Sequence, residues 1–173
     1  KHWQFMKVAL VYDRLNKFGG AEQVLANLHR LWPEAPLYTA VVNFDTAPWA
    51  KAFTVIPSFL QRIPWAKNHH ELYPWLTPLA FESFDFSEFD LVISVTSAEA
   101  KAIITAPKTL HLCYCLTPTR YLWSHRQEYL NEPGLGFWLG PWQKYLQAND
   151  LVYSRRPDVY AAISQTVQTR IKK

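Results

Sequence analysis

Three short runs of almost unbroken apolar residues constrain this chain most. Val8-Ala9-Leu10-Val11-Tyr12 stands between Lys7 and Asp13, Leu91-Val92-Ile93-Ser94-Val95 follows Phe89-Asp90, and Leu110-His111-Leu112-Cys113-Tyr114-Cys115-Leu116 completes the set. A strand exposed on one face alternates apolar and polar residues, whereas a strand covered on both faces, as in a parallel sheet, reads as a continuous run. After the first run, a turn containing Gly19-Gly20 leads into Ala21, Val24, Leu25, Leu28, Leu31 and Trp32. That is the i, i+3, i+4, i+7 spacing of an amphipathic helix, which Pro33 stops. Strand, glycine turn and helix form the opening unit of an α/β fold.

The alternation continues down the chain. Residues 36–43 and 53–56 are expected as short strands, the second ended by Pro57. Between residues 58 and 84, Pro64, Pro74 and Pro78 divide an apolar stretch into short helical pieces. Residues 98–104, 120–130 and 142–153 are expected as helices, the last with Trp142, Tyr145, Leu146, Val152 and Tyr153 on one face. Residues 158–163 read as a strand, and Ser164 as the N-cap of a final helix. The expected architecture is a single α/β domain over residues 1–173, a Rossmann-like open, mainly parallel sheet with right-handed crossovers and helices on both faces.

Composition excludes several classes. At 173 residues with 49% apolar and 18% charged side chains, the chain is too hydrophobic for disorder and long enough for one full core. No stretch free of charge exceeds eleven residues, about half of what a membrane-spanning helix needs. With no secretory signal at the N-terminus, the expected location is the cytoplasm. Cys113 and Cys115 stand two apart on one strand face, where a disulfide would be strained, so they are expected as reduced core residues. His69-His70 lack chelating spacing, and no metal is assigned. The net charge of +4 arises in the second half, where residues 91–173 carry ten Lys/Arg against five Asp/Glu. Such a surplus suits an anionic ligand, an acidic membrane leaflet or an ordinary solvated surface. Because the basic residues are scattered and form no stripe, no nucleic-acid partner is expected.

In an open parallel sheet, ligands lie beyond the carboxyl ends of the strands, so the residues that follow each strand are the candidates. Gly19 and Gly20 precede a helix whose first N–H groups lack intrahelical partners, which suits a diphosphate or simply a tight turn. Glu22, one turn in, suits the helix dipole. The turn matches neither the G-x-G-x-x-G fingerprint nor a P-loop, which argues against a nicotinamide dehydrogenase and against P-loop nucleotide hydrolysis. Thr96, Ser97 and Lys101 read as a helix cap or as ligand contacts. Residues 116–126, with Thr117, Pro118, Thr119, Arg120, Tyr121, Trp123, Ser124, His125 and Arg126, join hydroxyls, two guanidinium groups and stacking rings. Arg120 can hold a phosphate bidentately, and Tyr121 or Trp123 can stack on a sugar or fill the core. Residues 133–143, with Phe137, Trp138 and Trp142, read as a loop that either meets a membrane or lipid-linked acceptor or folds back on the core. In the first case Lys144, Arg155 and Arg156 would meet anionic headgroups. Glu82, Asp85, Glu88 and Asp90 read as a solvated helix end.

Four segments, KVALVYDRLNKFGGAEQVLANL, FDFSEFDLVISVTSAEAKAI, LHLCYCLTPTRYLW and DVYAAISQTVQTRIKK, resemble in order and spacing the N-terminal domain of family 4 glycosyltransferases. The resemblance is closest to bacterial enzymes that transfer mannose or related sugars during surface-polysaccharide assembly. It implies the GT-B architecture and a retaining, metal-independent hexosyl transfer from a UDP- or GDP-linked sugar, without a further cofactor. The N-terminal domain of such an enzyme holds the glycan or lipid-linked acceptor, and the C-terminal domain binds the nucleotide sugar. Carried over by position, Gly19 and Gly20 would face the donor diphosphate and the reacting centre, while Thr117, Pro118, Arg120 and Tyr121 would border the acceptor.

This sequence departs from the family pattern at two points. Leu116 stands where the family usually carries His and can do no proton chemistry, and His111 lies an odd five residues earlier, on the other strand face. No catalytic base is assigned. The Glu-x7-Glu donor motif is absent, so the resemblance implies the acceptor-side half of a longer enzyme, inactive by itself and peripheral at the inner membrane face. The competing class is a non-catalytic module that uses the same fold to dock on a membrane or partner.

Overall fold

Six parallel strands make one sheet in the computed structural model, which describes residues 6–64, 66, 73, 75–124, 128, 131 and 142–172. They are β1 (Val8–Tyr12), β2 (Leu37–Thr39), β3 (Val55–Pro57), β4 (Leu91–Thr96), β5 (Leu110–Cys115) and β6 (Val159–Ala162). Their order across the sheet is β3-β2-β1-β4-β5-β6. The chain therefore winds outward from β1 in one direction, returns to the centre, and winds outward from β4 in the other. This is the doubly wound, Rossmann-like arrangement, and the order reverses between β1 and β4. Those two strands are in register from Val8↔Leu91 to Tyr12↔Val95.

The continuous apolar runs reflect burial on both faces. Along β1, Ala9 and Val11 enter one core with Val92, Phe81, Phe86 and Ile103, while Val8, Leu10 and Tyr12 enter a second with Leu25, Leu37, Phe53 and Ile93. Helix α1 (Gly20–Leu31) covers the second core through Ala21, Val24, Leu25 and Leu28. On the first, α2 (Leu76–Glu82) contributes Ala80 and Phe81. Helix α3 (Gln143–Tyr153) reaches that core through Tyr153, and α4 (Gln165–Ile171) packs Val167 and Ile171 on Cys113 and Cys115 of β5. Both thiols are free and buried, as the shared strand face requires. Ser164 caps α4, its side chain accepting from the Val167 N–H at 3.3 Å.

Several elements differ from the sequence expectation, each for a local reason. The strand expected over residues 36–43 stops at Thr39, because the chain then bends to follow the loop after β1. There Leu15 N–H donates to Val41 at 3.0 Å and Asn43 N–H to Leu15 at 2.8 Å. Residues 98–104 form only a 3-10 turn, Ala100–Ala102, since the Ala100 N–H is taken by the Asp13 carboxylate and Ile103 is extended. Of the expected face of α3, Leu146 and Tyr153 pack inward while Trp142, Tyr145 and Val152 are exposed, and Gln143 and Asp150 are buried in their place. The reason is ionic, because Asp150 pairs inward with a buried lysine. Residues 120–124 form turns, and most of the remainder of the helix expected there, like residues 133–141, lies outside the described residues.

Candidate functional site

All six strands run the same way, so their carboxyl ends share one edge of the sheet, and the crevice at the β1/β4 reversal lies on it. Asp13, the first residue past β1, closes that crevice. Its carboxylate accepts from Thr96 Oγ1 at 2.7 Å, from Ser97 N–H at 2.9 Å and from Ala100 N–H at 2.8 Å, all on the β4 side. Thr96 Oγ1 in turn accepts from the Ala98 N–H at 2.9 Å. Thr96 Oγ1 and the Ser97 N–H are thus spent on joining the two halves of the sheet, and the hydroxyl cap expected from sequence does not form, since the 3-10 turn starts from Glu99 with no side-chain cap.

Gly19 and Gly20 start α1 on the same edge. Gly19 is extended, with φ −166°, and no side chain caps the helix. A Cβ at Gly19 would lie 3.3 Å from Glu22 Oε2, whereas a Cβ at Gly20 would meet nothing within 4 Å. Glu22 is buried and accepts from the Tyr12 hydroxyl at 2.6 Å. Burial and this bond push the Tyr12 phenol far above its ordinary value, so it remains a donor. Glu22 is therefore more than a dipole partner. It ties the first turn of α1 to the end of β1 and sets a carboxylate beside Gly19, while the approach to Gly20 stays open.

Past β5 the residues are held by a buried ionic knot. Lys101 Nζ donates to Asp150 Oδ1 at 2.7 Å, to the Ala98 carbonyl at 2.6 Å and to Thr119 Oγ1 at 3.0 Å. Thr119 Oγ1 also donates to Asp150 Oδ1 at 2.8 Å, and the Trp123 indole donates to Asp150 Oδ2 at 2.8 Å. Burial alone would lower the Lys101 ammonium; Asp150 overrides it and holds the group above the ordinary lysine value. Alongside, the Tyr121 hydroxyl donates to Glu99 in a short hydrogen bond. Burial, and then the nearby Asp13 carboxylate, push the Glu99 carboxyl up. Tyr121 is raised well above its ordinary value by burial and by Glu99. A hydrogen-bonded carboxyl and phenol thus sit near the β1/β4 reversal.

The candidates named from sequence divide accordingly. Thr117 and Pro118 line a recess between α3 and α4, and Gly19, Gly20, Arg120 and Tyr121 are not in its described wall. Arg120 is exposed, free to meet a ligand from solvent. Leu116 packs into the core on the α1 side, and His111 lies buried on the opposite face, as the odd spacing requires. Phe137 and Trp138 lie outside the described residues. Trp142 is exposed, stacks on Trp75 at 5.8 Å and meets Tyr145 edge-on at 6.2 Å.

Arg156, expected to face headgroups, is instead committed inward. It bonds Glu82 at 2.6 Å and the Ala102 carbonyl, with its guanidinium 4.7 Å from the centre of the Tyr153 ring. Of the four acids only Glu82 is an inward anchor; Asp85, Glu88 and Asp90 are exposed, as expected, with Asp90 accepting from the Lys7 N–H at 2.9 Å and Asp85 from the Ser87 N–H at 2.8 Å.

Sequence reasoning missed Glu99 and Asp150, whose partners lie 22 and 49 residues away in the chain. Among the described residues, no group of three or more His, Cys, Asp or Glu is placed to hold a metal ion, and no helix is long and apolar enough to cross a membrane. No family model, curated protein or solved structure matches the chain.

Proposed function

We propose that this chain is the acceptor-side domain of a retaining glycosyltransferase that moves a hexosyl group from a UDP- or GDP-linked sugar to a glycan or lipid-linked acceptor. One observation carries the reading. The two turns that bear the family resemblance, Gly19-Gly20 after β1 and Thr117 to Arg120 after β5, leave the same edge of a doubly wound sheet, where such sheets take their ligands. The open approach to Gly20 at an uncapped helix start supports a diphosphate contact there. Exposed Arg120 supports an anionic group on the acceptor side. Exposed Trp142 and Tyr145, packed beside half-buried Trp75, support work at a membrane surface, where a lipid carrier would present its glycan. The donor nucleotide would be held by a second domain.

The test is sugar transfer by the native polypeptide of the source cell. Membranes supplied with radiolabelled GDP-mannose or UDP-glucose are compared between the protein and its Gly20→Val variant. A Cβ at this position meets nothing within 4 Å, and the variant's melting temperature, measured alongside, separates function from stability. Transfer is expected to fall on the order of 100-fold, as for a reacting group displaced by about 1 Å. Full transfer in a stable variant, or no transfer from any nucleotide sugar, would sink the reading.

A further inference from the structure

A recess of about 580 Å³ opens beside the carboxyl ends of β4 and β5, between α3 and α4. Small-molecule sites span about 300–1,000 Å³. Much of its described wall is apolar, with Cys115, Pro118, Trp123, Leu151, Tyr160 and Ile171. Most of the polar groups are already spent within the protein, Thr96 on Asp13 and Ser154 on the Leu151 carbonyl. Lys101, Asp150 and the Trp123 indole satisfy one another, and both Asp150 oxygens are occupied. Two other groups have no partner among the described residues. Thr117 Oγ1 is buried without a hydrogen bond, and Arg170, exposed at the rim, pairs with no carboxylate among the described residues.

We propose that this recess is a binding site for a small organic oxyanion, a phosphate monoester or carboxylate carried on a flat apolar body. With the charges of Lys101 and Asp150 cancelling, Arg170 leaves the wall with one positive charge in excess. No carboxylate oxygen there is left free to repel an anion. A guanidinium fork matches either oxyanion, and the Thr117 hydroxyl is a buried donor in want of an acceptor. Tyr160 gives its hydroxyl to the Ser154 carbonyl at 2.8 Å and so offers the recess its ring. An uncharged ligand would draw nothing from the Arg170 charge, and a bare inorganic ion would leave the apolar wall wet. Both parts of the ligand are needed. The site takes Thr117 and Pro118 from the acceptor side of the transfer reading and would hold the anionic end of an acceptor. It stands on the recess itself and is tested without a sugar donor.

Calorimetric titration of the protein with phenyl phosphate, benzoate, inorganic phosphate and benzyl alcohol decides the matter. Saturable millimolar or tighter binding is expected for phenyl phosphate or benzoate, and the tighter of the two identifies the oxyanion. Inorganic phosphate and benzyl alcohol should bind about tenfold more weakly or worse. Arg170→Gln should weaken binding about tenfold. Thr117→Val should weaken it severalfold while leaving the melting temperature unchanged or raised, since it replaces a buried hydroxyl that has no partner. Absence of saturable binding by either anion, or binding indifferent to both substitutions, overturns the proposal. Because no donor is present, either result leaves the Gly20 transfer test to be judged separately.

Discussion

His111 sits in the middle of the sheet with its ring closed off from water. Ser94 Oγ lies 2.8 Å from Nε2, and Nδ1 has no partner. Burial pushes the imidazole down to about 4 from 6.5, so it is neutral in the folded protein near neutral pH. Between these two values the unfolded chain binds one proton more than the folded one, and stability falls as pH falls through that window. The loss from this group approaches about 3 kcal/mol at the acid end. Urea midpoints at pH 7.5 and 4.5 should therefore differ less for His111→Gln than for the protein itself; equal differences would refute the assignment. The face on which His111 lies was legible in the sequence, because an odd offset separates it from Leu116. Its partner was not. Pairing with Ser94 depends on the register that sets Val92 opposite His111 and Ser94 opposite Cys113, which no local pattern encodes.

Helix α3 shows how far an amphipathic pattern can mislead. Of the expected face Leu146 and Tyr153 pack inward, yet Tyr145 and Val152 are exposed while Gln143 and Asp150 are buried in their place. A single buried ion pair, 2.7 Å long between side chains that are 9% and 10% exposed, decides the orientation. Lys101→Met should therefore cost about 3–5 kcal/mol, since it strands a buried carboxylate. The double variant Lys101→Met, Asp150→Leu should recover most of that loss, because apolar residues of similar volume replace such pairs at little cost. A denaturant double-mutant cycle measures both, and additive losses would show that the pair does not fix α3. By contrast α4 was legible at its start, where Ser164 caps the helix as its residue type predicts. The difference is one of range: a cap is written within four residues, and the Lys101–Asp150 pair spans 49.

For the whole molecule, β1, β4 and β5 could be read from sequence almost to the residue, because burial on both faces leaves β1 without a polar residue and β4 with only the buried Ser94 and Thr96, whereas β2 ends four residues before the expected stretch does. The candidate site was legible in part. Strand ends pointed to the right edge of the sheet, but which groups are spent on one another there, as Asp13 is on Thr96, Ser97 and Ala100, depends on contacts more than 80 residues apart. The order β3-β2-β1-β4-β5-β6 also sets a gradient of protection. Amide exchange should be slowest in β1, β4 and β5, each flanked on both sides, and faster in the edge strands β3 and β6. Uniform protection across the sheet would contradict this.

The adjacent thiols of β5 add a practical property. Burial pushes Cys113 up to about 12 and Cys115 up to about 11, and they are not joined to each other. Alkylating reagents attack the thiolate, so the folded protein offers them almost nothing at neutral pH. Alkylation is then paced by the moments when β5 parts from its neighbours. The protein carries, at the centre of its second half, a chemical clock for its own opening.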